Sequence, residues 1–204
     1  MKKSIFTIVV SVALSLGALR SSGQGNVAFA NQTTTAITNM GGQKLVAPAG
    51  TYMFGLYVGP AGSQASALTL VGTGVNGNWP ANSGLDGFFS IGNPFTLASN
   101  PPGTAIAFQV RGWPADLGTS YEAALVNFHG GNPAFGESIL GSVTPTAPPT
   151  PAAPLFGNTG GGLVPAFALG VPEPSSVVLG GLGLAAWSLI RRRKQDLENA
   201  SRDR

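Results

Sequence analysis

Apolar side chains recur at every second position through the middle of this chain, and clusters of Gly, Pro and Asn interrupt them at short intervals. In "TYMFGLYVG", Tyr52, Phe54, Leu56 and Val58 fall on one side of an extended backbone, and in "AIAFQVRGW" Ile106, Phe108 and Val110 do the same. A period of two turns one face toward a core, as a strand does and a helix of period 3.6 does not. Weaker alternation predicts further strands at 26–30, 44–47, 67–71, 87–91, 121–126, 138–144 and 163–169. The separators "GPAGS", "NGNWPANSG", "NPF", "SNPPG", "HGGNP" and "GNTGGG" supply positive or fixed φ and stop a ladder. Within "TSYEAALVNF" the alternation of Tyr121, Ala123 and Leu125 favours a strand or a single turn. The proline-rich stretch 143–154 lacks too many amide donors for a central strand and reads as a connection before a last strand, or as a linker.

Composition agrees with this pattern. Charged residues are 9% of the chain, with 30 Gly and 16 Pro among 204 residues, against about 25% charged in ordinary soluble domains. The expected body is all-β, an antiparallel β-sandwich of jelly-roll or Ig-like type, spanning 24–170. Its charge argues against a nucleic-acid partner. Although the whole chain is formally +3, the span 21–190 holds two cations, Lys44 and Arg111, against five acids, and nothing basic clusters on the body. There is no cysteine, hence no disulfide framework or thiolate chemistry.

The chain begins with Lys2 and Lys3, followed by the apolar "SIFTIVVSVALSLGAL". That is the build of a secretory signal peptide, expected over 1–23 as a signal helix and removed by signal peptidase after Gly23 or after Ala30. The Gly23 site keeps "NVAFAN" available as a first strand; an uncleaved anchor is the plainer alternative.

Candidate chemistry in the body is sparse. His129 is the one histidine, in a loop-like "NFHGGNP", and a Ser/His/Asp triad would have to be built on it. Asp86, Asp116, Glu122 and Glu137 are isolated acids, read as solvated loop residues or as a single ion pair with Arg111 rather than as a glycosidase pair. No metal-ligand spacing or phosphate loop occurs, so neither a metal nor a cofactor is expected. Trp79 and Trp113, each before a proline, together with Tyr121 could form an aromatic platform for sugar, but aromatics beside turns more often cover the open end of a sandwich core, and that is the favoured reading.

The C-terminus is organised differently. Val171, Pro172, Glu173 and Pro174 precede an uncharged, glycine-rich run from Ser175 to Ile190, which ends in Arg191, Arg192, Arg193 and Lys194. As a helix the run spans about 24 Å, short for a ~30 Å hydrocarbon core but workable with snorkelling arginines. The cations should remain cytoplasmic, giving one transmembrane helix within 171–194 and a cytoplasmic tail at 195–204. A last helix buried in the domain is the alternative.

These three parts, in this order and spacing, resemble the PEP-CTERM sorting domain of Gram-negative exported proteins. The resemblance implies handling by exosortase, a multi-pass membrane enzyme that cuts near the Pro-Glu-Pro motif in bacteria making extracellular polysaccharide. Val171, Pro172, Glu173 and Pro174 would be recognition residues and Arg191, Arg192, Arg193 and Lys194 a membrane stop. "GNVAFAN", "GTYMFGLYVGPAGS" and "FQVRGWPADLGTSYEAA" are similar to a family of such proteins found in Verrucomicrobia-type bacteria. The expectation is therefore a non-enzymatic protein exported across the inner membrane, anchored through its C-terminus and sorted to the cell surface or matrix. A carbohydrate-binding or adhesion module is the alternative, and a hydrolase a weaker one.

Overall fold

The computed structural model describes residues 23–77, 84–129, 134–157 and 162–170. The leader, Trp79 and the segment from 171 onward lie outside the described residues. The body is mostly β-sheet with little helix. Its strands are β1 (Gly25–Ala30), β2 (Thr38–Asn39), β3 (Tyr52–Pro60), β4 (Thr69–Val75), β5 (Ser90–Leu97), β6 (Ile106–Pro114), β7 (Gly136–Glu137), β8 (Gly141–Val143), β9 (Ala153–Pro154) and β10 (Ala168–Leu169); one α-helix, α1 (Tyr121–Asn127), is described.

The expected alternation places the long strands. β3 and β6 pair antiparallel over nine residues, from Tyr52 opposite Pro114 to Pro60 opposite Ile106. Phe54, Leu56 and Val58 then share one face with Ile106, Phe108 and Val110, and all six are buried in one core. β4 continues this sheet on one side, with β7 and β8 on the other. A second sheet, ordered β5-β1-β9, contributes Val27, Phe29 and Leu97 to the same core. Phe89 ties the two together: its ring stacks on Phe54 at 4.4 Å and meets Phe29 and Phe156 edge-on. Burying such rings is the main driving force available to so uncharged a chain.

Several local expectations change. Residues 121–127 form a helix because Ser120 Oγ accepts the Ala123 N–H at 3.1 Å, Glu122 sits in the first turn, and Tyr121 and Ala124, three apart, are the buried pair. Leu125, which the alternation would have buried, is 41% exposed. The "NPF" turn is instead part of β5: the strand runs through Pro94, and its register against β1 shifts there, the kind of irregularity where a ladder tolerates proline. The predicted strand at 44–47 is not continuous: Lys44 makes an isolated bridge to Thr38, and Ala47 is a second isolated bridge position. The predicted strand at 138–144 is split because Ser138 Oγ takes the Val110 N–H and donates to the Ile139 carbonyl, replacing the ladder. Pairing is not wholly antiparallel, since β9 runs parallel to β1 and β10 parallel to β2. The proline-rich stretch leads to β9 at the edge of the second sheet, as a connection before later strands.

Candidate functional site

The other face of β6 carries Ala107, Gln109, Arg111 and Trp113, which a solvent-facing strand would leave wet. All four are buried, and α1 packs over this side. β3 makes room for it with Gly55, directly opposite Arg111; a Cβ there would come within 2.8 Å of the Trp113 ring. Trp113 donates its indole N–H to the Gly118 carbonyl at 2.8 Å and meets Tyr121 edge-to-face at 6.2 Å.

Beside this aromatic pair the Arg111 guanidinium lies 4.1 Å from the centre of the Tyr57 ring and 5.6 Å from that of Tyr121. Its Nε donates to Gln109 Oε1 at 2.9 Å, one Nη to Glu122 Oε1, and the other to the Ala65 carbonyl at 2.9 Å. Gln109 Nε2 in turn donates to the Ser138 carbonyl and to Glu137. The Tyr57 hydroxyl donates to Glu122 Oε2 at 2.8 Å and accepts the Tyr121 N–H at 3.1 Å, one of the donors a helix start leaves without an intrahelical partner. Burial, and then the hydrogen bond to Glu122, push the Tyr57 hydroxyl up to about 12. Tyr121 is raised as well, first by burial and then by the negative charge of Glu137 beside it. The guanidinium therefore donates to a strand side chain, a helix acid and a turn carbonyl, and this network fastens α1 to the sheet.

The expected ion pair with Arg111 is thus the one to Glu122, whose side chain remains 57% exposed. Glu137 joins the same network through Gln109 and Tyr121, which spacing could not reveal. Asp116 is exposed and Asp86 half-buried, neither within this cluster. His129 is exposed just past α1, and among the described residues no hydrogen bond joins it to an acid or hydroxyl. Trp113 is fully buried and Tyr121 nearly so, so neither offers a free ring face to a sugar; Trp79 lies outside the described residues. Among the described residues no group of three His, Asp or Glu is placed to hold a metal, and no buried side-chain polar atom lacks a partner.

The body ends in a clamp. Phe135 and Gly170 exchange both backbone hydrogen bonds, Phe135 N to Gly170 O at 2.7 Å and Gly170 N to Phe135 O at 2.8 Å. On the other side β10 runs in parallel register with β2, Ala168 beside Thr38 and Leu169 beside Asn39. Gly136 has to be glycine for β10 to pass, since a Cβ there would lie 2.2 Å from the Ala168 carbonyl oxygen. The next residue is Val171, and the expected recognition residues Val171, Pro172, Glu173 and Pro174, with Arg191, Arg192, Arg193 and Lys194, all lie outside the described residues.

The tail's address is nevertheless identifiable. Residues 170–194 match the PEP-CTERM protein-sorting motif. The chain thus carries a C-terminal sorting signal of the kind that exosortase handles, which supports export, membrane association and C-terminal anchoring. No curated protein and no solved structure matches the chain. No helix among the described residues is long and apolar enough to cross a membrane.

Proposed function

We propose that this is an exported, non-enzymatic protein of the cell surface or extracellular matrix, whose β body is delivered by exosortase through the C-terminal motif. The observation that carries the reading is the match at 170–194. In this reading 1–23 is a signal peptide cleaved after Gly23, which spares β1 and its buried Val27 and Phe29. The run from Ser175 to Ile190 crosses the inner membrane once, Arg191, Arg192, Arg193 and Lys194 stop it on the cytoplasmic side, and Val171, Pro172, Glu173 and Pro174 are read by exosortase outside. The body is a sandwich of the jelly-roll or Ig-like type, a passenger whose exposed loops contact surface polysaccharide or other matrix components. The test is the intact mass of the protein from cells with and without exosortase. Loss of the basic tail only when the enzyme is present supports the reading; retention of Arg204 in both strains refutes processing.

A further inference from the structure

The described body ends at Gly170, and the geometry of that end points to a membrane-facing surface. β10 and β2 are parallel, so the backbone past Leu169 and the backbone past Asn39 advance in the same direction. One runs into Gly170 and the sorting segment, the other into Met40 and the tip of a tight hairpin. The two touch: a Cβ on Gly170 would lie 2.5 Å from Met40 Cγ.

That hairpin is held by its own hydrogen bonds. Asn39 Oδ1 accepts the Gly41 and Gln43 N–H groups at 2.9 and 3.0 Å, and the Asn39 N–H donates to the Gln43 carbonyl at 2.8 Å. At its tip Met40 is 76% exposed, the largest value among the exposed large hydrophobics of the described residues except Val126 at 77%. Lys44, the other described cation besides Arg111, follows it, bridged to Thr38 and exposed.

Only five residue steps separate Gly170 from Ser175, where the uncharged run begins. Fully extended they reach about 17 Å, and a leaflet's headgroup layer occupies roughly 5–8 Å of that. The end of the body where β10 exits is therefore held within about 10 Å of the headgroups. A rigid tip carrying one flexible apolar side chain and one ammonium has the chemistry of an interfacial contact: the thioether enters the headgroup boundary while the lysine meets lipid phosphate. We infer that, while the tail is in the membrane, the body rests on the outer leaflet through the 39–44 hairpin, with Met40 at the lipid interface. The inference rests on the anchoring reading of the tail given above.

The test uses the full chain with Met40→Cys, which carries a unique label because the protein has no cysteine. The labelled protein, bearing an environment-sensitive fluorophore, is reconstituted into vesicles of zwitterionic and anionic phospholipid containing a headgroup-borne quencher. Ala61→Cys is the control. It lies in the turn just past Pro60; Pro60 is six residues along β3 from Phe54, which packs near β10 through Gly112, so this turn is roughly 20 Å along the strand from that contact at ~3.3 Å per residue. Quenching of at least twofold at position 40 with none at 61 is expected. Equal quenching at both positions, or none at 40 in protein that floats with the vesicles, overturns this inference while leaving anchoring intact. Protein that does not float overturns the anchoring reading and this inference with it. Shielding of position 40 only when exosortase shares the vesicle also overturns it, and assigns the tip to the enzyme instead.

Discussion

Replacing Tyr57 with Phe removes one oxygen and leaves the ring under Arg111 in place, so it isolates the link between β3 and α1. The hydroxyl makes two bonds, donating to Glu122 Oε2 at 2.8 Å and accepting the Tyr121 N–H at 3.1 Å. The first partner is more than half exposed, and water can replace the lost donor, so this bond contributes at the low end, about 0.5–1 kcal/mol. The second loss is larger. Tyr121 opens the helix and is buried, and Ser120 already caps Ala123, so the Tyr121 amide is left without a partner at a cost of about 1–3 kcal/mol. The expected destabilisation is about 1.5–4 kcal/mol in all, which for a body of this size lowers Tm by roughly 3–16 °C. Urea and thermal melts of the full chain in mild detergent measure it. A double-mutant cycle with Glu122→Gln is expected to show coupling of at least about 0.5 kcal/mol, since both variants act on one network. A Tyr57→Phe loss below about 0.5 kcal/mol, or strict additivity with Glu122→Gln, would refute the claim that this network fastens the helix.

Three further outcomes follow from the same geometry. Gly55→Ala forces a methyl against the Trp113 ring and Leu70, and is expected to cost about 1–3 kcal/mol in chemical denaturation. Asn31→Ala removes a buried amide that donates to the Thr35 and Gly87 carbonyls and accepts the Phe89 N–H, and is expected to lower stability by about 2–4 kcal/mol. Tyr57 and Tyr121 both have hydroxyls raised above the ordinary tyrosine value of 10, Tyr57 to about 12. The unfolded chain therefore releases these protons first, so the contribution of the two tyrosines to stability is constant from pH 8 to just below 10 and falls from there toward pH 12. Melting curves across pH 8–12 check this, and a Tyr57→Phe chain should show a shallower fall.

How much of this was readable beforehand depended on which face of a strand carried the signal. β3 and β6 were legible because Phe54, Leu56, Val58, Ile106, Phe108 and Val110 all point to one core, and alternation reports that directly. The opposite face of β6 was not. Gln109 and Arg111 on a strand read as a wet side, and nothing local says that a helix eleven residues later will cover them. The covering helix is itself seven residues long, too short for a 3.6-residue period to outweigh the alternation of Tyr121, Ala123 and Leu125. Its one available signal was Ser120, an N-cap residue with an acid two positions on. Trp113 and Tyr121 take the core-covering role that aromatics beside turns favour, under a helix that little in the local pattern announces. The missing Cβ of Gly55 leaves room for the Trp113 ring, which is buried in a cluster with Tyr57, Tyr121 and Phe135 on this side of the sheet. The sorting tail was legible throughout because its information is linear: Pro-Glu-Pro, an uncharged run and a basic cluster need no fold to be read.

The junction between these two kinds of information carries a last expectation. A chain ending after Gly170 keeps both backbone bonds to Phe135 and the parallel pairing with β2. A chain ending after Ala166 loses these and the side chains of Phe167 and Leu169, 8% and 1% exposed. At about 1.5–3 kcal/mol for each buried side chain, with the β10 hydrogen bonds in addition, the loss is about 4–7 kcal/mol. That is comparable to the whole stability of an ordinary domain, about 5–15 kcal/mol. The first truncation is therefore expected to fold and the second to be largely unfolded by circular dichroism and limited proteolysis. A folded 1–166 chain would show that β10 is dispensable. If the expectation holds, a sorting cut must fall beyond Gly170: opening the clamp to reach a bond upstream would cost much of the body's stability, and proteases act where the backbone is free of such bonds.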